Sequence, residues 1–505
     1  MHHITRHQIS LTLLLLVILL LTACETQSGL PVLAMPGEDQ DHAVADLSHQ
    51  DGDPQAGVQP TPLPTRPLYQ PGELVDYIAQ TGDTLPALAA RFNTSVAEIL
   101  EANPIIPAEV TTLPPGMPMQ IPIYYLPLWG SAYQILPDSL FINGPAQLDF
   151  NTSEFVASFP GWLNAVQGFA SDRNRSGAEL VDWVALNYSV SPRLLLALLE
   201  YQAGALSQAE QPSASQTYPL GYHNTRFQGV TQQLIWAANT LNDGYYSYRT
   251  GELTSFHLRD GSLERPDPWQ NAATVALQFY FSRILSPEDY REAISPSGFA
   301  HSYQALYGDP WLDDVPHIPG SLLQPEMSLP FRSGTTWAFT GGPHTAWGTA
   351  KPWAALDFAP PAVVGGCSPS DELATAIAPG VVIRSETGTV VLDLEGDGLE
   401  NTGWVIFYFH VATERRAPAG SVLQTGDPIG YPSCEGGRST GTHIHIARKY
   451  NGEWMPASGV LAFNLDGWIA QKGSNPYEGF MTRNAQTVIA SESSSAASFI
   501  SAEEK

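Results

Sequence analysis

Residues Thr442-His443-Ile444-His445-Ile446 alternate strictly between polar and apolar side chains. A period of two belongs to an extended strand, and it puts both imidazoles on one face and both isoleucines on the other. Along such a strand the two rings stand about 6–7 Å apart, close enough to serve one centre. The last third of the chain must therefore build a sheet with one apolar face and one face that carries chemistry. Its other patterns agree. Strands are expected at Gly380–Ser385, Gly388–Leu394, Trp404–Val411 and His443–Arg448, joined by Gly- and Pro-rich connections.

Beyond residue 326 the sequence has two more histidines, His344 and His410. Gly341-Gly342-Pro343-His344 reads as a turn that exposes an imidazole. Thirteen residues later, Asp357 sits inside the apolar run Ala354-Ala355-Leu356-Asp357-Phe358-Ala359. A carboxylate buried there needs a partner, and a metal ion would supply one. Trp404, Ile406, Tyr408 and His410 share a strand face, so His410 is expected to end its strand pointing the same way as the His443/His445 pair. Two histidines and one aspartate leave a fourth position open, the pattern of a catalytic zinc site. The other two imidazoles are then free for general acid–base work and oxyanion stabilisation. A lone histidine on a sheet is usually a solvated side chain. Four of four histidines, with an acid in an apolar strand, fit a site better.

On these residues the C-terminal module resembles the M23 zinc metallopeptidases (the LytM/lysostaphin group), nearest the β-lytic and staphylolytic branch. The matching stretches are Gly341–His344, Leu356-Asp357-Phe358, His410 and Ser433-Cys434-Glu435-Gly436-Gly437-Arg438-Ser439-Thr440-Gly441-Thr442-His443-Ile444-His445. The resemblance implies one zinc ion per chain, held by His344, Asp357 and His445. It implies His443 as the acid–base group and His410 as the oxyanion donor. It also implies cleavage of peptide bonds in the stem or cross-bridge of peptidoglycan. The larger M23 branch places its first histidine four residues before the aspartate, where this chain has Trp353. His344 must then reach the metal by a longer loop. The module is expected to be an antiparallel all-β peptidase domain over residues 326–484, with a polar tail over 485–505 that frays from about Ser491.

A second pattern lies at residues 71–123. Gly82-Asp83-Thr84 makes a turn that caps a helix over Leu85–Phe92, and Thr94 or Ser95 caps another through Leu100. Short strands ending at Tyr77–Ala79 and covering Met119–Ile123 flank them. This βααβ unit resembles the LysM module, which implies binding of glycans such as peptidoglycan, with Gly82, Asp83, Thr84 and Asn103 as candidate contacts. Between the two modules, residues 124–325 are expected to be mostly helical, with helices around Thr231–Leu241, Asn271–Phe281 and Ser302–Leu306. Another helix starts at Ser191-Pro192 with a core of Leu194–Leu199. That helix resembles in part the catalytic helix of lysozyme-like lytic transglycosylases. The position of their catalytic acid holds Gln202, which cannot protonate a glycosidic oxygen, and Glu200 lies on another helix face. A degenerate lysozyme-like module and an unrelated helical spacer both remain open, as do sugar-stacking and core roles for the region's aromatics.

The N-terminus places the whole chain. A short apolar run, Leu11–Leu21, ends in Leu21-Thr22-Ala23-Cys24. The run reads as a signal peptide over residues 1–23, and the sequence around Cys24 resembles the bacterial lipobox, which implies lipidation of Cys24 and membrane anchoring. Residues 24–70 read as a disordered, Pro-rich spacer. With Cys24 lipidated, Cys367 and Cys434 remain, and an exported compartment permits them to bridge; two free buried thiols are the alternative. The net charge of −27 makes nucleic acid an unsuitable partner. The expected protein is an exported lipoprotein facing the cell wall or periplasm. The competing readings are a non-catalytic peptidoglycan-binding or amidase-activating scaffold, and a bifunctional hydrolase with a glycosidase middle domain.

Overall fold

The computed structural model describes residues 66–127, 129–361 and 365–504. The signal segment, Cys24 and the spacer up to residue 65 lie outside the described residues. The described residues fall within one compact unit.

The first module is βααβ: β1 (Glu73–Ile78), α1 (Leu85–Arg91), α2 (Val96–Ala102) and β2 (Pro118–Ile123), with β1 antiparallel to β2. Both helix starts follow the capping chemistry expected of them. Thr84 Oγ1 accepts from the Ala87 amide, and Ser95 and Glu98 form a reciprocal capping box. Leu85, Leu88 and Phe92, spaced along one helical face, bury against Tyr77, Ile99 and Ile121.

The middle region is helical. It comprises α3 (Asp138–Phe141), α4 (Thr152–Ala157), the hairpin β3 (Gln167–Ala170) and β4 (Arg173–Ser176), α5 (Gly177–Tyr188), α6 (Pro192–Ala203) and α7 (Gly229–Arg249). A short hairpin follows, β5 (Phe256–His257) and β6 (Leu263–Glu264), then α8 (Ala272–Ile284), α9 (Pro287–Ala293) and α10 (Phe299–Tyr307). Ser191 caps α6 by accepting from the Leu194 amide, and Leu194–Leu199 are buried. Trp236, Tyr245, Tyr246 and Tyr248 are buried too, so these four of the aromatics that could have been sugar platforms are core.

The last module contains β7 (Thr336–Thr345), β8 (Trp353–Ala359), β9 (Ala374–Thr375), β10 (Gly380–Glu386), β11 (Gly388–Asp393), β12 (Trp404–Val411), β13 (Val422–Leu423), β14 (Pro428–Gly430), β15 (Ile444–Tyr450) and β16 (Glu453–Trp454). It ends with β17 (Asn464–Leu465), β18 (Trp468–Lys472), β19 (Gly479–Arg483), β20 (Gln486–Ile489) and β21 (Phe499–Ser501). One large antiparallel sheet runs in the order β13-β10-β11-β12-β15-β8-β7-β21, with β16 paired to β15. Ile406, Tyr408, Ile444 and Ile446 face a core shared with the small sheet β17–β20. Val405, Phe407 and Ala447 face the other way and join the core of the helical region. The helices thus pack on one face of the large sheet.

The tail differs from expectation. Residues 486–501 contain strands: β20 extends the small sheet, and within the stretch expected to fray β21 pairs with β7 as an edge strand of the large one. Ile500 is buried against Trp337 and its neighbours, and the alternation Phe499-Ile500-Ser501 is what lets a polar tail supply a strand.

Three modules meet at one buried cluster. Arg249 of α7 bonds the Thr81 carbonyl of the first module, Asp138 of the second and Glu453 of the third. Glu453 also receives His317 Nε2 at 2.7 Å and Tyr245 Oη at 3.0 Å. The linker after the helices crosses the first module. Ile318 N donates to Thr81 Oγ1, Thr112 Oγ1 donates to the Pro319 carbonyl, and Leu322 N donates to Thr112 Oγ1.

Candidate metal centre and its groove

The pairing of three strands assembles the site. Asp357 on β8 stands directly opposite His445 on β15 and opposite Gly341 on β7, and His344 pairs with Ala355. A β-carbon at Gly341 would come within 2.5 Å of Asp357 Oδ2, so only glycine leaves room for that carboxylate. His344, Asp357 and His445 are all buried. His344 Nε2 lies 3.1 Å from His445 Nδ1, and each lies 3.2 Å from Asp357 Oδ1. Two tetrahedral donors at about 2.0–2.1 Å from a shared metal ion are about 3.3 Å apart, so this triangle has the size such an ion needs.

The remaining bonds set the tautomers. His344 Nδ1 donates to the Gly342 carbonyl at 2.8 Å, and His445 Nε2 donates to the Ala346 carbonyl at 3.1 Å. That leaves His344 Nε2 and His445 Nδ1 with lone pairs facing Asp357. Asp357 Oδ1 has no conventional hydrogen-bond partner although it is buried. An orphaned carboxylate oxygen between two imidazole lone pairs fits a cation better than it fits a structural role. Burial opposes the charged form of Asp357, yet the imidazoles of His344, His443 and His445 gathered around it hold its carboxyl well below the usual range. Burial lowers the His445 imidazole, with Asp357 opposing. Both effects leave Asp357 and His445 in their metal-binding protonation states.

His443 and His410 stand beside this triangle. His443 Nε2 is 3.7 Å from Asp357 Oδ1, while its Nδ1 donates to the Gly441 carbonyl at 2.8 Å. His410 lies against His443 with its ring tilted by 55° and the ring centres 4.6 Å apart, and its Nδ1 donates to the Glu435 carbonyl at 2.9 Å. Burial, reinforced by the neighbouring His443 and His445, pushes the His410 imidazole down to about 3, so it stays neutral.

His410 arrives by a route that strand periodicity misses. Phe409 pairs with His445 and Tyr408 with Ile446, so a regular strand would put His410 on the Tyr408 face, away from the site. A left-handed backbone at His410, φ 61°, breaks the alternation and brings the ring back. The expectation that His410 reaches the site by sharing a face with Trp404, Ile406 and Tyr408 is therefore wrong in its reasoning. Its presence at the site depends on that break. Trp353, in the place of a closely spaced first histidine, pairs with Thr345 and carries the Lys351 ammonium over its ring.

The site opens into a groove of about 1030 Å³, lined by residues of the last module, among them Thr340, Arg438, Ser439, Thr442 and Tyr477. Tyr477 stacks on the His344 ring with centroids 4.1 Å apart and 21° between planes. Sequence reading missed it. It lies 32 residues after His445 in a turn, with φ 69°, and no periodicity points to it. Glu492, Ser493, Ser494 and Phe499 of the tail also line the groove. Opposite, the Cys367–Cys434 disulfide ties the loop whose Gly366 carbonyl accepts from the Thr442 amide.

The other sequence candidates are placed differently. Asp83 is buried, where it accepts from Tyr77 Oη and pairs with Arg91. Asn103 is buried and clasps the Gln120 backbone in both directions. Both therefore hold the first module together. Gly82 faces the Arg249 guanidinium, and it lines, with Thr84, a cavity of about 310 Å³ shared with Trp353 and Tyr246. In the helical region Glu200 is buried and accepts from the Leu206 and Ser207 amides, at 2.7 and 3.1 Å, while Gln202 is partly buried. That carboxylate caps the turn after α6.

Family models match two segments: the LysM domain over residues 77–122 and the LasA N-terminal domain over 134–320. Protease LasA of Pseudomonas aeruginosa is 24% identical over 361 residues, covering 68% of this chain and 78% of that protein. The β-lytic metalloendopeptidase of Lysobacter enzymogenes is 24% identical over 177 residues, covering 33% of this chain and 92% of the relative. Among solved structures, the deep-sea M23 metalloprotease pseudoalterin is 23% identical and covers 33% of this chain and 96% of its own, with a TM-score of 0.28. The catalytic domain of lysostaphin from Staphylococcus simulans is 20% identical over 25% of this chain and 89% of its own, with a TM-score of 0.17. These similarities to two proteases, with the LysM match upstream, support reading this chain as an M23-type metalloendopeptidase that bears a LysM module.

Proposed function

We propose that the protein is a zinc-dependent endopeptidase that hydrolyses peptide bonds in the stem or cross-bridge of peptidoglycan. The observation that carries this is the orphaned Asp357 oxygen between the His344 and His445 lone pairs, at the floor of an open groove. His344, Asp357 and His445 would hold one zinc ion, which supplies an acidified water and polarises the scissile carbonyl. His443, partly exposed and beside Asp357, takes the proton from the attacking water and returns it to the leaving amine. His410 spends the one N–H of its neutral ring on the Glu435 carbonyl, so its Nε2 can donate to the oxygen on which charge develops only once it has taken up a proton. Tyr477 stacks on His344 and presents its phenol to the same groove. The LysM module supports a wall substrate, and the lipobox-like sequence at Cys24 supports delivery from a membrane anchor.

Digestion of purified cell wall, with product masses and free-amine release, tests the reading. New amino termini in stem or cross-bridge peptides are expected. Zinc bound with no new amines would favour the scaffold reading. New reducing sugar ends would favour a glycosidase in the helical region, where the amide-bonded Glu200 carboxylate argues against one.

A further inference from the structure

The loop between β7 and β8, residues 346–352, is where the metal centre meets the helical region. Its Ala346 carbonyl receives His445 Nε2 and so sets which nitrogen faces the metal. The loop's next amides leave the peptidase module for partners. Thr349 N donates to Asn239 Oδ1 at 2.8 Å, and Thr349 Oγ1 donates to the same oxygen at 3.2 Å. Lys351 N donates to Asp243 Oδ1 at 2.9 Å. Asn239 and Asp243 stand one turn apart on the same face of α7. Asn239 is itself aimed, because its Nδ2 donates to the Ile235 carbonyl. The fit is close: a β-carbon at Gly348, φ 79°, would come within 2.7 Å of both Tyr188 and Asn239. Trp347 completes the seam, its ring lying between Trp183 of α5 and Phe409 of β12. Among the described residues, every side chain lining the catalytic groove belongs to the last module, so α7 touches no substrate.

We infer that Asn239 and Asp243 are positioning residues for the metal centre. They hold the β7–β8 loop so that the Ala346 carbonyl meets His445, and they thereby couple the helical region to metal affinity. Without them two loop amides lose their acceptors, the loop between His344 and Trp353 gains freedom, and the His445 ring loses its fixed tautomer. This inference rests on the proposed zinc site, since it concerns how firmly that site is built.

The test uses the full chain and two metal readouts. Zinc affinity is measured by competition with a chromophoric chelator, and the cobalt-substituted protein reports ligand geometry in its visible spectrum. Loss of a hydrogen bond that orients a metal ligand typically weakens binding by about 10–100-fold. The Asn239→Ala/Asp243→Ala protein should bind zinc about tenfold more weakly and show a shifted cobalt spectrum. Asp243→Asn keeps the accepting oxygen and should bind as the parent does. Zinc affinity and cobalt spectrum unchanged in the folded double variant would overturn the inference, leaving the two residues a purely structural role. Should the double variant fail to fold, the single alanine variants carry the same readouts and decide the question in the same way. A parent protein that binds no zinc would sink the metal reading itself, and the coupling with it.

Discussion

Two clusters of buried charged groups divide the labour in this molecule. Around Arg249, each charge finds its complement within the chain: Asp138, Glu453, Tyr245 and the Thr81 carbonyl surround one guanidinium, and His317 bonds Glu453. Around Asp357 the groups converge differently. Two imidazole lone pairs and one carboxylate oxygen point at each other across 3.1–3.2 Å, and the oxygen has no conventional donor. The first cluster is closed and ties three modules. The second is incomplete as protein, and on the proposed reading a cation would complete it. Burial of charge thus marks structure where donors and acceptors balance, and marks a site where they do not.

The largest effects should come from the incomplete cluster. Asp357→Ala should abolish stoichiometric zinc binding and reduce wall cleavage to background, read by metal analysis and amine release. It should leave the melting temperature of the metal-free protein almost unchanged or raised, because it removes an unpaired buried charge. A large loss of metal-free stability would break the comparison. His443→Ala should keep zinc bound while lowering turnover by about 10²–10⁴-fold, the range of a lost general acid–base group. Cleavage that survives would reassign the proton transfer.

The closed cluster should respond in stability. Arg249→Met removes the one cation that Asp138 and Glu453 share, and unpairing buried charges of this kind costs about 3–5 kcal/mol. Thermal unfolding should show it, with the cobalt spectrum of the folded fraction unaltered. The acid limb should show it as well. Burial raises Glu453, but the Arg249 charge and the His317 hydrogen bond outweigh that and bring it down to about 2 from 4.5. A depressed carboxyl stabilises the fold fully above pH 4.5, and that contribution is lost as pH falls towards 2. It amounts to roughly 3 kcal/mol. Glu453→Gln should flatten the stability profile in that window. An unchanged acid limb would show that the cluster does not act through this charge.

The smallest expected effect distinguishes Glu200 from Asp357, another buried acid. Glu200 is satisfied by two amides, so Glu200→Gln should cost about 1 kcal/mol, the scale of one hydrogen bond. It should change neither the glycan nor the peptide products of wall digestion. Lost reducing ends in that variant would show that the helical region carries a glycosidase.

Much of this was legible in local pattern. The βααβ unit followed from capping residues and helical spacing, and its elements lie within a residue or two of expectation at most ends. Trp404–Val411 is a strand with the expected bounds. His443 and His445 share a site because alternation is a property of consecutive residues. The tail was misjudged because composition reads Ser and Glu as solvent-facing, whereas an edge strand needs only one buried side chain in three, here Ile500. Asp83 and Asn103 looked like contacts because small polar residues in loops serve either role. Only their partners, Tyr77, Arg91 and the Gln120 backbone, show which.

The donor types, the pairing of two imidazoles on one strand and the need of Asp357 for a partner were all written in the chain's residues. Those follow from chemistry and from a two-residue period that no distant contact alters. Long-range packing settled the rest: His410 turns back through a left-handed backbone, Tyr477 caps His344, and α7 holds the loop beside the proposed metal ligands. These depend on which strands pair and which surfaces pack. Such choices are made by the burial of whole faces, between residues far apart in the chain, and they leave no period in the sequence to read.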